Sequence, residues 1–228
     1  ETVASLQDKF RVCFFTNNST KSNPEITDKL NNLGFSCEAR DVYTSSLSTA
    51  TYLTTQGLDQ VYVIGSDGFK KELASHGLTL VDDETAKNLV VGLDLDFSYQ
   101  KIAVALQILK NGGKFIACNE DANFPVGSEI VKPGCGAMVG AIRSSSQRSP
   151  DFIVGKPNPY ILSVIATENA VRNDEVVVIG DSPESDIKMA LNFGCPSVLF
   201  DYGGPSSADH EGLRMTDIRE LPGMLEIL

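Results

Sequence analysis

What most constrains the fold of this chain is an alternation. Short β-branched apolar runs end at Gly, Asn or Asp, and between them lie stretches whose apolar residues recur at helical spacing. The runs are residues 11–15, 61–64, 89–93, 114–118, 175–179 and 197–200. Among the intervening stretches, residues 24–33 carry Ile26, Leu30 and Leu33 and stop at Gly34. Residues 99–109 bring Ile102, Ala105, Leu106 and Leu109 to one face. Residues 159–170 and 185–193 behave alike, the latter stopping at Gly194, and residues 1–10 also read as a helix. Strands alternating with helices predict an α/β fold around a parallel sheet.

At 228 residues the chain can bury a substantial core, as one large domain or two small ones. No stretch is long enough to be a linker, so two domains would meet at short hinges. Gly57 and Ser149-Pro150 break the pattern and place the hinges near residues 56–59 and 148–152. The expected division is therefore a discontinuous core, 1–57 with 152–228, and an inserted α/β segment, 58–151. A net charge of −11 argues against a nucleic-acid partner, because a phosphate backbone needs a basic surface. No apolar run nears the roughly 20 residues that span a bilayer, and the polar start ETVASLQDKF shows no signal peptide. Five cysteines without a CxxC pair read as thiols of a reducing cytoplasm. His76 and His210, remote from any cysteine pair, offer little to zinc.

In open α/β sheets ligands collect beyond the carboxyl ends of strands, and polar clusters occupy such positions here. Thr16-Asn17-Asn18-Ser19-Thr20 follows the first run; a hydroxyl and successive amides suit a phosphate, and the same residues suit a helix-capping turn. Gly155-Lys156-Pro157 puts a cation before a helix amino terminus, either as an anion contact or as a surface lysine in an entry turn. Gly180-Asp181-Ser182-Pro183-Glu184-Ser185-Asp186 is the most specific. Capping explains Asp186 but not Asp181, a charge at the mouth of an apolar sheet. Two such carboxylates fit a hard cation such as Mg2+, which takes one or two of them with waters and phosphate oxygens.

Together, and along nearly the whole sequence, these clusters resemble the haloacid dehalogenase-like (HAD) phosphatases, in the branch of 4-nitrophenyl phosphatases, phosphoglycolate phosphatases and NagD-like nucleotidases. The resemblance implies a Rossmann-like core and, in the middle segment, an α/β cap. In it, Thr16, Asn17 and Asn18 hold the phosphoryl group, Lys156 neutralises it together with the attacking carboxylate, and Asp181 and Asp186 hold Mg2+. Cys118-Asn119-Glu120-Asp121 and Pro133-Gly134-Cys135-Gly136 are similar to cap stretches, so that Asn119 and Asp121 become candidates for substrate selection. The implied partner is a small phosphorylated metabolite. Caps of this kind often pair in relatives, which leaves a homodimer through the cap open.

One family element is not found. Its chemistry starts at an Asp-x-Asp-Gly stretch on the first, central strand, whose first Asp attacks phosphorus and whose second works as acid and base. That stretch should precede Thr16 with a helix between, and residues 1–10 already fill the helix. The Asp94-Leu95-Asp96 stretch follows an apolar run but lies in the inserted segment, and Asp94 reads as the start of the next helix. Losing a central strand would leave facing edges of unpaired backbone, so the expectation is a piece of a longer chain, inactive by itself. A phosphate-binding pseudo-enzyme and a phosphomutase-type transferase remain as alternatives, the latter disfavoured by the strand-rich insertion.

Overall fold

The computed structural model of the chain describes residues 1–127, 130–203 and 212–226; His210 lies outside them. In chain order the elements begin with α1 (Thr2–Gln7), β1 (Phe14–Thr16), α2 (Asn23–Asn32), β2 (Val42–Thr44), α3 (Ser45–Thr55), β3 (Gln60–Ile64) and α4 (Asp67–Ser75). They continue through β4 (Thr79–Leu80), β5 (Asn88–Val91), α5 (Tyr99–Lys110), β6 (Lys114–Ala117), β7 (Asn123–Val126), β8 (Ile130–Pro133) and α6 (Cys135–Ser146). Then come β9 (Phe152–Ile153), α7 (Tyr160–Asn169), β10 (Val178–Gly180), α8 (Lys188–Phe193), β11 (Ser197–Phe200), β12 (Leu213–Met215) and α9 (Leu221–Leu225).

Packing groups the chain into two compact units. One comprises Glu1–Phe14, Leu30–Cys37 and Lys156–Leu228, the other Phe15–Lys29 and Glu38–Gly155. Residues 15–29, 38–57 and 152–155 thus pack with the middle segment 58–151. The reason is local. The loop after β1 is hydrogen-bonded to the starts of α3 and α4 and to the residues that follow β5 and β6, as detailed below.

The unit holding the middle segment is built on a five-stranded sheet of order β4-β3-β5-β6-β9, parallel at every pairing. Its register aligns Ile64, Val91, Ala117 and Ile153, so the carboxyl ends of β3, β5, β6 and β9 are level. All four residues of β5 are buried, as expected of a parallel strand covered on both faces. Leu89, Val91, Phe115, Ile108 of α5 and Val139 and Ile142 of α6 form one core. Ser98 caps α5 by accepting the Lys101 N–H. An exposed antiparallel hairpin, β7–β8, stands between β6 and α6 in the chain.

The other unit carries a three-stranded parallel sheet, β10-β11-β12. Its core gathers Leu6, Val198, Met215 and Leu221, with Val12 and Val177 against them. The α/β class and mainly parallel pairing agree with the sequence reading. Several boundaries differ, among them the run 11–15, where β1 starts only at Phe14. Residues 173–175 form a 3-10 turn because the Glu175 carboxylate accepts the Arg172 N–H, so β10 starts only at Val178. The helix expected from residue 185 opens instead with a wide π-type turn, Pro183–Ile187, before α8.

Candidate active site

In the unit of the five-stranded sheet, the loop that follows β1 is held from several directions. Ser45 Oγ at the start of α3 donates to the Asn17 carbonyl at 2.8 Å, and Asn119 Nδ2, just past β6, donates to the same oxygen at 2.8 Å. Ser66 Oγ, the cap of α4, donates to the Thr20 carbonyl at 2.8 Å. The Leu93 N–H beyond β5 donates to Ser19 Oγ at 3.1 Å. Strand ends and helix starts thus converge on a single loop, which is where open α/β sheets place ligands.

Within the loop the polar groups divide their work. Thr16 Oγ1 accepts the Asn18 N–H at 3.1 Å, which leaves the threonine O–H to donate elsewhere. Asn18 Oδ1 accepts the N–H groups of Thr20 and Lys21, an Asx-type turn that fixes the chain path. Both main-chain and side-chain bonds make Asn18 an organiser of the loop, with its N–H already committed to Thr16. Asn17 Nδ2 donates to Asp121 Oδ1 at 2.9 Å, and the Asp121 N–H donates to Asn119 Oδ1 at 3.1 Å. Beneath lies a buried polar network. Cys118 Sγ donates to Ser45 Oγ at 3.2 Å and accepts from Thr49 Oγ1 at 3.3 Å. Burial pushes the Cys118 thiol up to about 11, against the smaller lowering effect of its hydrogen bonds with Ser45 and Thr49.

In the other unit, Asp181 directly follows β10, is exposed, and has no hydrogen bond or ion pair to its carboxylate among the described residues. Asp186, 3% exposed, is fully engaged: Oδ1 receives Lys156 Nζ at 2.6 Å and Oδ2 receives the Ser182 N–H at 3.1 Å. Its side chain lies against the backbone of Gly180, where an added Cβ would collide with the Asp186 Cβ and carboxyl group. Lys156 is itself largely buried, with 14% of its side chain exposed. The wide turn at 183–187 brings Asp186 back to the strand tip, since the Asp186 N–H donates to the Ser182 carbonyl.

The residues singled out in sequence thus fall into two groups. Thr16, Asn17, Asn18, Asn119 and Asp121 share one unit, and Lys156, Asp181 and Asp186 share the other. Among the described residues no group of three or more His, Cys, Asp or Glu is arranged for a metal ion. An open carboxylate at a strand tip beside a second, buried one is still a donor set that suits Mg2+, because Mg2+ needs few protein ligands. Asp94 is 4% exposed and paired with Lys101 Nζ at 2.6 Å, with Oδ1 accepting the Asp96 N–H, so it anchors the approach to α5. His76 Nδ1 lies 2.8 Å from the Glu72 carbonyl at the end of α4. Sequence reading missed Ser45, Ser66 and Ser182. Thr44-Ser45-Ser46 directly after apolar Val42-Tyr43 was the available signal for Ser45.

Comparison with known proteins identifies the family. A haloacid dehalogenase-like hydrolase family matches residues 1–79, and a second, HAD-hydrolase-like, matches residues 153–219. An acid sugar phosphatase of Staphylococcus haemolyticus is 34% identical over 191 residues, covering 83% of this chain and 72% of its own. The chain belongs to the haloacid dehalogenase-like hydrolases and, among them, to the phosphatases. Among solved structures, the 4-nitrophenylphosphatase of Thermotoga maritima superposes with a TM-score of 0.90 at 29% identity, covering 97% of this chain and 87% of that one. The p-nitrophenyl phosphatase of Archaeoglobus fulgidus gives 0.89 at 25% identity, covering 100% and 89%. No helix among the described residues is long and apolar enough to cross a membrane.

Proposed function

We propose that the protein carrying this chain hydrolyses small phosphomonoesters, sugar phosphates foremost, in a Mg2+-dependent reaction that passes through an aspartyl-phosphate. The observation that carries the reading is the pair of polar constellations at parallel strand ends, one rich in hydroxyl and amide donors, the other in carboxylates with a buried lysine. The acid sugar phosphatase relatives supply the substrate class. In this proposal the Thr16 O–H and the Asn17 amides hold the phosphoryl oxygens, while Asn18 keeps their loop in shape. Lys156 absorbs charge on the transferring group. Asp181 is the residue with an open carboxylate for Mg2+, and Asp186 holds Lys156 in place while contributing to the same acidic site. Bound Mg2+ would neutralise phosphate oxygens as a Lewis acid.

Asp94 is committed to Lys101 and takes no part. The attacking aspartate would come from an Asp-x-Asp-Gly segment preceding Glu1 in the natural chain. Core and cap are proposed as 1–57 with 152–228 and 58–151. The five cysteines, all free thiols, suit the cytoplasm.

The test is turnover by the full-length protein of 4-nitrophenyl phosphate and a sugar phosphate such as glucose 6-phosphate. Phosphate release that EDTA abolishes and Mg2+ restores is expected. Phosphate binding without release from any ester would replace the enzyme with a binding module.

A further inference from the structure

Asn119 and Asp121 follow β6, where sequence suggests side chains that choose the substrate. Their bonding says otherwise. Asn119 is 3% exposed, and both ends of its amide are used by the chain: Nδ2 on the Asn17 carbonyl at 2.8 Å, Oδ1 under the Asp121 N–H at 3.1 Å. Asp121 Oδ1 takes the Asn17 amide at 2.9 Å, and the Asp121 carbonyl accepts the Gly136 N–H at 2.9 Å, at the opening of α6. The short segment is therefore braced by β6 on one side and α6 on the other. Asn17 is gripped at its carbonyl and at its side-chain amide together.

Gly155 closes the cluster. A Cβ there would lie 2.7 Å from the Asn119 Cβ and 2.7 Å from Asn17 Oδ1, so only glycine admits this packing without displacing them. A carboxylate turned directly on a phosphoryl group would also repel it, whereas one that accepts an amide proton stiffens the amide's orientation.

We propose that Asn119 and Asp121 are positioning residues that act through Asn17, fixing the phosphate loop instead of contacting the variable part of the substrate. The proposal rests on the phosphatase reading above. It makes this segment a determinant of rate common to all esters. Selection among leaving groups then lies with other side chains.

The experiment compares Asn17→Ala, Asn119→Ala, Asp121→Leu and Asp121→Asn in the full-length protein, on 4-nitrophenyl phosphate and glucose 6-phosphate. Loss of a charge-assisted hydrogen bond should lower kcat by roughly 10- to 100-fold. The factor should be the same for both esters, with KM nearly unchanged. Asn17→Ala with Asp121→Leu should lose no more than the worse single variant. Asp121→Asn, which keeps an acceptor for Asn17 Nδ2, should recover most of the loss. Should Asn119→Ala fail to fold, the Asp121 pair and the double variant decide the matter, with thermal melting checking that each is native. Losses confined to the sugar phosphate, factors that multiply, or an Asp121→Asn as poor as Asp121→Leu would overturn the positioning role while leaving the phosphatase reading intact. A wild-type protein that releases phosphate from neither ester would overturn both.

Discussion

Replacing Lys156 by methionine tests the proposed roles of the Lys156, Asp181 and Asp186 cluster most directly. Methionine matches the aliphatic stem of lysine and removes the ammonium that meets Asp186 Oδ1 at 2.6 Å. The pair is secluded, with 4% of the Asp186 side chain and 14% of the Lys156 side chain exposed, so solvent screening does little. Breaking such a pair from one side leaves a buried charge and costs about 3–5 kcal/mol. The Ser182 N–H still serves Oδ2, which points to the lower end, about 3 kcal/mol. For a chain of this size each kcal/mol moves the melting midpoint by roughly 2–4 °C, so Lys156→Met should melt about 6–12 °C lower. The companion variant Lys156→Met/Asp186→Leu removes both charges, and an apolar pair of similar volume is often neutral or stabilising. It should regain most of the lost midpoint, and neither variant should regain activity, with kcat on the order of 100- to 1000-fold down. Differential scanning calorimetry on wild type, both singles and the double closes the cycle. Additive losses, or an unshifted Lys156→Met, would refute the view that this ion pair is a buried, functionally retained liability.

Further outcomes follow from the same geometry. Gly180→Ala should cost about 1–3 kcal/mol and weaken Mg2+ binding measured by titration calorimetry, because its Cβ takes the place of the Asp186 side chain. Asp94→Asn should lower stability by about 1–3 kcal/mol through loss of the Lys101 pair while kcat stays at the wild-type value, and a collapse of kcat would restore Asp94 as a candidate nucleophile. The Cys118 thiol is raised from 9.0 to about 11, so the folded state holds its proton where the unfolded chain has lost it. Stability from this group is complete below pH 9 and disappears between about 9 and 11, about 3 kcal/mol in all. Cys118→Ala should therefore lose its disadvantage against wild type across that window in urea titrations, and iodoacetamide at pH 8.5 should spare Cys118 until the protein unfolds.

Where a short apolar run ends at Gly, Asn or Asp, the sequence was easy to read. Residues 61–64, 114–118 and 197–200 became β3, β6 and β11 almost unchanged. The difficulty was with α3, whose sequence SSLSTATYLTT has poor helix formers at most positions. It forms because the packing of Ala50 and Leu53, both wholly buried, outweighs propensity, while Thr49, Thr51, Thr54 and Thr55 satisfy their hydroxyls by donating to carbonyls one turn back and the Thr44 side chain caps the Leu47 N–H. Thr49 is wholly buried with its hydroxyl satisfied one turn back, and Ser45 and Ser46 are wholly buried by donating to the carbonyls of Asn17 and Lys21, which no hydropathy pattern announces. Strands β4 and β9 have two residues each, too short for periodicity to register. Of the site, the residue types at strand ends were legible. Their division of labour was not, since Asn119 looks the same in sequence whether its amide faces a substrate or the Asn17 carbonyl.

That division has a common physical logic in both units. Asn18, Asn119, Asp121, Lys156 and Asp186 spend much of their bonding capacity on the chain itself. Groups whose bonds are already made cannot reorient when a ligand arrives, so the cost of ordering them is met during folding. Among the described residues, the groups left open include the Thr16 O–H in one unit and the Asp181 carboxylate in the other, a donor for an anion and an acceptor for a cation. A site organised for general stickiness would leave many polar groups loosely solvated. Here the saturated majority holds a few open groups fixed, so substitutions among the saturated residues should cost rate and stability together, whereas Asp181→Asn should cost rate with a melting midpoint close to wild type, and Thr16→Val, which also gives up the exposed bond from the Asn18 N–H, should cost rate with a midpoint only about 2 °C lower. Midpoint losses of several degrees in those last two variants would contradict this ordering.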